Sequence, residues 1–245
     1  MTTIGVEHWV SGKSAHDGAP LKLYLWEKRQ NADAASFAAS RKIVLLVHGS
    51  RRSGRVAFDL PVPLVPGEFT YSLMDALAAD GYDVFSLDAQ CYGRSDHHPS
   101  GLKVQTEVVA GDIAAAVDYI CKLRSVENLL LIGWSWGATT TAIYAEQHPD
   151  RVRKIVLYGG RVTRLNVSDG GPLAVSIDED YCVNTTEVST LTLQPQLTTP
   201  KVLDTWLAEG DRWDPRSPNG VAFDFQTRMP LASPAKLAMP VLVTY

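Results

Sequence analysis

The chain reads as an α/β protein with a doubly wound, mostly parallel sheet. Two observations carry that reading. Aliphatic and β-branched runs recur along it: KIVLLV (42–47), DVFSLD (83–88), NLLLIG (128–133), KIVLY (154–158) and PVLVTY (240–245). Continuous apolar runs of this length suit strands buried on both faces, as the strands of parallel sheets are. Segments with helical periodicity lie between several of them, and strand–helix alternation predicts helices on both faces of such a sheet.

Each element follows from its residues. Leu21–Arg29 alternates apolar and polar side chains, the pattern of a half-buried strand. NADAASFAAS (31–40) is rich in small residues and reads as a loop. The first helical pattern puts Leu73 and Leu77 on one face; the second makes an apolar stripe of Ile113, Val117, Ile120 and Cys121. The third begins near Gly137 and stops at His148-Pro149, because proline cannot continue a helix.

From Arg161 to about Met229 the chain turns polar, with one helix-like piece, KVLDTWLAE (201–209). Structureless loops of this length are uncommon, so the excursion is expected to form an inserted cap over one edge of the sheet. The expected organisation is a first core part over 1–160, a cap over 161–229 and a return strand within 230–245.

Bulk properties exclude several classes. With a net charge of −4, nothing draws the chain to nucleic acid or to an anionic membrane. Its apolar runs are strand-sized and too short to span a bilayer. The first residues, MTTIGVEHWV, lack the basic and apolar regions of a secretory signal. Cys91, Cys121 and Cys182 are few and widely spaced, so they suggest neither a disulfide framework nor a metal site. A cytoplasmic protein is expected, with a small-molecule substrate and no metal or organic cofactor.

The chemistry centres on Gly133-Trp134-Ser135-Trp136-Gly137, which fits G-x-S-x-G between a buried strand and a helix. A sharp strand-to-helix turn lifts a serine hydroxyl clear of the sheet. It also puts the next N–H, that of Trp136, at a helix N-terminus where a developing oxyanion is stabilised. The alternative is that Ser135 only caps the helix. A second turn, His48-Gly49-Ser50, directly follows the strand KIVLLV and can supply another oxyanion donor, the Ser50 amide. His48 itself is expected to hold that turn by hydrogen bonds rather than to transfer protons.

These motifs resemble the α/β-hydrolase superfamily over roughly 21–161, with a return strand at 240–245. The matching landmarks are the His48-Gly49 turn, the stretch GYDVFSLDAQCYGRSD (81–96), the elbow at Ser135 and HPDRV at 148–152. The resemblance implies Ser135 as nucleophile and the Trp136 and Ser50 amides as oxyanion donors. It also disfavours epoxide hydrolase and dehalogenase chemistry, since those relatives carry aspartate where Ser135 stands. The S-W-G elbow is similar to that of prolyl aminopeptidases, so amide substrates stay open. Cys91 stands where the family usually has glycine; it reads as a packed side chain rather than a second nucleophile.

The family order serine, acid, histidine is not completed within these residues. His148 lies thirteen residues past Ser135 on the same helix, about 20 Å away at 1.5 Å per residue. Asp169, Asp178, Glu179 and Asp180 read as solvated cap charges. The final strand and helix, the acid and the histidine are therefore expected beyond Tyr245. His97 and His98 are the upstream substitutes, and a non-catalytic ligand-binding relative is the reading from another class. Arg51, Arg52 and Arg55 read as a solvated loop face, with attraction of an anionic substrate as the alternative. The expected activity is hydrolysis of a small carboxylic ester or lactone, with an amidase or aminopeptidase as the alternative.

Overall fold

The computed structural model describes residues 3–30, 34–164 and 176–245. Seven strands form one sheet: β1 (Thr3–Lys13), β2 (Pro20–Gln30), β3 (Ile43–Val47), β4 (Asp83–Leu87), β5 (Leu129–Trp134), β6 (Val152–Tyr158) and, last in the chain, β9 (Val241–Thr244). Two short strands, β7 (Tyr181–Val183) and β8 (Arg216–Pro218), pair separately. The order in the large sheet is β1-β2-β4-β3-β5-β6-β9. Strands β4, β3, β5, β6 and β9 are mutually parallel, whereas β2 runs antiparallel to both β1 and β4.

All five residues of β3 and of β4 are buried, as their apolar composition requires. Side chains alternate across the sheet. Ile43, Leu45 and Val47 face α4 (Thr106–Arg124) and α5 (Trp136–Gln147), while Val44 and Leu46 face α2 (Gly54–Phe58) and α3 (Leu73–Ala79). From β3 the chain crosses to β4 on one side and then returns to β5 on the other. The connections leaving β3 and β5 diverge there, and open α/β sheets bind ligands in the crevice at such a switch point.

The structure corrects the sequence reading in five places. Residues Ala34–Ser40 form a short helix, α1, that buries Phe37 in the core; residues 31–33 lie outside the described residues. The sheet begins earlier than Leu21: Gly and polar residues dilute the alternation of β1, which the register with β2 nonetheless pairs over its whole length. On α3 the buried face is Met74 and Ala78, with Leu77 partly covered, and Leu73 points outward. The stretch after Arg161 holds more than one helix. Besides α7 (Pro200–Trp213), which contains the expected helix-like piece, it holds β7, β8, α6 (Thr186–Thr192) and α8 (Gly220–Thr227), elements too short to print a clear period. Finally, β9 is not buried on both faces: it is the edge strand, and Val241, Leu242 and Val243 are 39%, 60% and 55% exposed. Among the described residues no helix is long and apolar enough to cross a membrane.

Candidate active site

Ser135 sits at the turn between β5 and α5 with φ 56° and ψ −119°. A non-glycine residue at positive φ is sterically disfavoured, and it persists only where the surroundings hold it. Two glycines show how. A Cβ on Gly133 would lie 2.3 Å from the carbonyl oxygen of Gly137, and one on Gly137 would lie 2.2 Å from that of Val47. The backbones of β3, β5 and α5 therefore meet at distances that admit no side chain. The Ser135 amide donates to the Tyr158 carbonyl (2.8 Å), tying the turn to β6 as well. Its side chain remains partly accessible.

The His48-Gly49-Ser50 turn passes directly over this serine. A Cβ on Gly49 would be 3.0 Å from Ser135 Cβ and 3.5 Å from its Oγ. His48 is fully buried and occupied twice: Nδ1 donates to the Gly49 carbonyl (2.6 Å), and Nε2 accepts from the Ala89 amide (3.1 Å). Burial pulls its pKa down to about 4, so the ring is neutral at pH 7 and braces the turn. Trp136 is fully buried at the first turn of α5. Its indole N–H donates to Thr106 Oγ1 (3.0 Å), and Thr106 in turn donates to Asp224 of α8 (2.6 Å). Among the described residues the amides of Ser50 and Trp136 have no hydrogen-bond acceptor.

No histidine of the described residues hydrogen-bonds the Ser135 hydroxyl. His98 is engaged by Asp17 Oδ2 (3.1 Å) and by the Ser100 backbone, and His97 is exposed, its pKa lowered by desolvation and by Arg216. His148 caps the far end of α5 against the Tyr144 ring. Cys91 has φ 69°, the left-handed conformation that explains why glycine suits this position. Its thiol is buried against Tyr181 and the His98 amide, and burial raises its pKa. Asp178 and Glu179 are exposed; Asp180 accepts from Ser100 and the Leu102 amide; Asp169 lies outside the described residues.

The arginine run is not a solvated face. Arg55 does lie at the surface, over the Trp26 ring and near Glu7. Arg51 and Arg52, however, are buried, because residues from 184 to 214 close over them. Arg51 donates to Asn184 Oδ1 (3.0 Å), and Arg52 reaches Ser189 on α6 and the Asp214 carbonyl at the end of α7.

The sequence reading missed Asp214. Its carboxylate accepts from the Ser53 amide and hydroxyl (both 2.8 Å) and from the Gly93 amide (2.9 Å), fastening α7 to the loops after β3 and β4. Burial raises the pKa of Asp214 and, first by burial and then by the Asp214 charge, takes that of Asp88 to about 7. The polar residue closing an amphipathic helix was its only signal. Trp206 and Ser189 join Ser50, Arg51, Arg52 and Trp134 around a small cavity next to the elbow. A larger apolar cavity of about 330 Å³ lies between α5, β6 and β9, lined by Ala138, Leu157, Leu237 and Val243 among others.

Comparison with known proteins bears on this geometry. Residues 42–243 match a family model described as the alpha/beta hydrolase fold. Over 118 residues the chain is 30% identical to a poly(3-hydroxyalkanoate) polymerase subunit of Thiocystis violacea, covering 46% of this chain and 31% of that protein. Over 80 residues it is 30% identical to a proline iminopeptidase of Neisseria gonorrhoeae, covering 33% and 24%. The matched stretches thus span less than a third of those relatives' own length. Among solved structures, an esterase from Exiguobacterium antarcticum superposes with a TM-score of 0.63 at 15% identity, over 96% of this chain and 79% of that one. The enol-lactonase from Burkholderia xenovorans superposes with a TM-score of 0.60 at 15% identity, over 91% and 77%. The matched model covers most of the sheet and the whole elbow, and the chain belongs to the alpha/beta hydrolase fold family.

Proposed function

We propose that the chain is a serine hydrolase acting on a small carboxylic ester or lactone through an acyl-enzyme. The observation that carries this is the backbone of Ser135, held at positive φ by glycine contacts that fix its hydroxyl at the switch point of the sheet. Ser135 Oγ attacks the carbonyl carbon. The oxyanion then accepts from the Trp136 and Ser50 amides, and losing one such donor typically costs about 3–4 kcal/mol of barrier. The described residues of the segment 161–229 act as a cap, whose Trp206 and Ser189 close over Ser50 and Trp134 beside the elbow.

The base and its orienting acid come, in this reading, from chain that follows β9. The exposed apolar side chains of β9 and the apolar cavity beside it support that placement, since parallel strands are ordinarily covered. The similarity to a proline iminopeptidase keeps a second reading, hydrolysis of amide bonds, because an elbow does not encode the leaving group.

A fluorophosphonate probe tests the nucleophile. Labelling should map to Ser135 by mass spectrometry and vanish in Ser135→Ala. Labelling of another residue, or none in a longer chain that carries the family's acid and histidine, would leave a ligand-binding role instead.

A further inference from the structure

The two amides assigned to the oxyanion are both held from outside the elbow, and by one segment of the chain, that which follows β6. One residue past Ser50, Arg51 takes φ 76°, a left-handed conformation that side chains disfavour and that persists only where the surroundings hold it. Asn184, directly after β7 and 4% exposed, does the holding. Its Nδ2 donates to the Arg51 carbonyl (3.1 Å), and its Oδ1 accepts from the Arg51 guanidinium (3.0 Å), so one carboxamide grips this residue by backbone and side chain together. Asn184 is itself fixed. Its amide donates to the Pro215 carbonyl (2.9 Å), and Nδ2 also lies 2.8 Å from both the Asp214 carbonyl and Ser217 Oγ.

Trp136 is reached by a second route. Its indole is buried in one cluster with Tyr92 and with Val221 and Phe225 of α8, and its Nε1 donates to Thr106 Oγ1 (3.0 Å). Thr106 donates from its amide (2.7 Å) and its hydroxyl (2.6 Å) to one carboxylate oxygen of Asp224, whose other oxygen accepts from Arg228 (2.9 Å). Thr106 and Asp224 are fully buried. The approach is possible because glycine begins α8: a Cβ on Gly220 would lie 2.2 Å from the Val104 carbonyl oxygen. Capping of α4 would account for the bond from the Thr106 amide alone. It does not account for the hydroxyl, which accepts from the indole and donates to the carboxylate, and so ties the first residue of α5 to α8.

We propose that Asn184 and Asp224 are positioning residues, one for each oxyanion donor: Asn184 sets the Ser50 amide through Arg51, and Asp224 sets the Trp136 amide through Thr106. The segment after β6 then builds the oxyanion hole as well as covering it. Hydrogen bonds weaken steeply as the donor angle leaves linearity, so a small rotation of either peptide removes a donor. The word oxyanion rests on the Ser135 reading; the two clamps do not.

Amide spectra of the 15N-labelled chain test the clamps without turnover. Asn184→Ala should move the Ser50 amide resonance and leave that of Trp136 in place. Thr106→Val, which keeps the shape and removes the hydroxyl, should move the Trp136 amide and leave Ser50 in place, and Asp224→Ala should do the same. Thr106→Ser should restore the parent position. An amide unmoved by its own variant overturns the proposal, and so does a general loosening that moves both amides in every variant. Fluorophosphonate labelling reads the consequence, because the phosphoryl oxygen of the probe takes the oxyanion position. In the longer chain Ser135 should label at least tenfold more slowly in Asn184→Ala and in Thr106→Val, and at the parent rate in Thr106→Ser. Undiminished labelling in either of the first two also overturns the proposal. Amides that move as stated, in a chain whose parent Ser135 never labels, would sink the hydrolase reading and leave the clamps standing.

Discussion

The middle of the sheet and its β9 edge are built from the same kind of sequence and end in opposite states. IVLLV in β3 is entirely buried, and the backbone beyond it packs so tightly on the elbow that glycine is obligatory. VLVT in β9 is paired through β6 alone and shows its aliphatic side chains to solvent. The difference teaches that an apolar run specifies a strand but not its neighbours. In the middle, two flanking strands and a helix on each face supply cover; at β9 one flank is open.

The largest way to break this contrast is to cover the edge. A longer chain that adds a strand and helix after Tyr245, with a histidine and an acid, should raise ester turnover by orders of magnitude over the 245-residue chain, measured as steady-state kcat/KM. Residual activity of about 10³–10⁴-fold over water is expected from a site lacking its triad partners, so traces alone decide nothing. His97→Ala and His98→Ala should change the rate of the longer chain little. Full-rate hydrolysis by the shorter chain, lost in either variant, would make an upstream histidine the base.

A smaller effect probes the middle. In Gly137→Ala the new methyl meets the carbonyl oxygens of Val47 and His48 at 2.2 and 2.5 Å, so β3 and α5 must separate. Urea unfolding should show a loss of about 3 kcal/mol, at the upper end of overpacking effects, with fluorophosphonate labelling of Ser135 abolished. A wild-type midpoint would show that the junction yields more readily than its contacts suggest.

The smallest effect belongs to the edge itself. Leu242→Lys places a charge on a side chain already 60% exposed, and should change the stability of the 245-residue chain by less than about 0.5 kcal/mol. In the longer chain, with the edge covered, the same substitution should cost several times more. Equal cost in both would mean that β9 is not the strand the added segment covers.

Much of this was legible because it is local. The elbow was readable from G-x-S-x-G because the spacing of two glycines around Ser135 records contacts made within one turn and its two flanking elements. The role of His48 was readable for the same reason, since it bonds its own neighbour's carbonyl. The stripe on α4 was legible because Ile113, Val117, Ile120 and Cys121 repeat with the helix, and all four are buried. β1 and α8 escaped because short or glycine-diluted segments carry too few periods to register.

The fate of the arginines could not be read at all. Ser50-Arg51-Arg52-Ser53 has the composition of any hydrated loop, and Arg55 three residues further on behaves as one. What buries Arg51 and Arg52 arrives from Asn184, Ser189, Trp206, Gly210 and Asp214, more than 130 residues later in the chain. Local propensity and periodicity are set by neighbours within a few residues, so the sequence by itself determined the strands and the elbow. Desolvation is set by whatever folds back from afar, and that is why only the tertiary structure decided that Arg51 and Arg52 are buried.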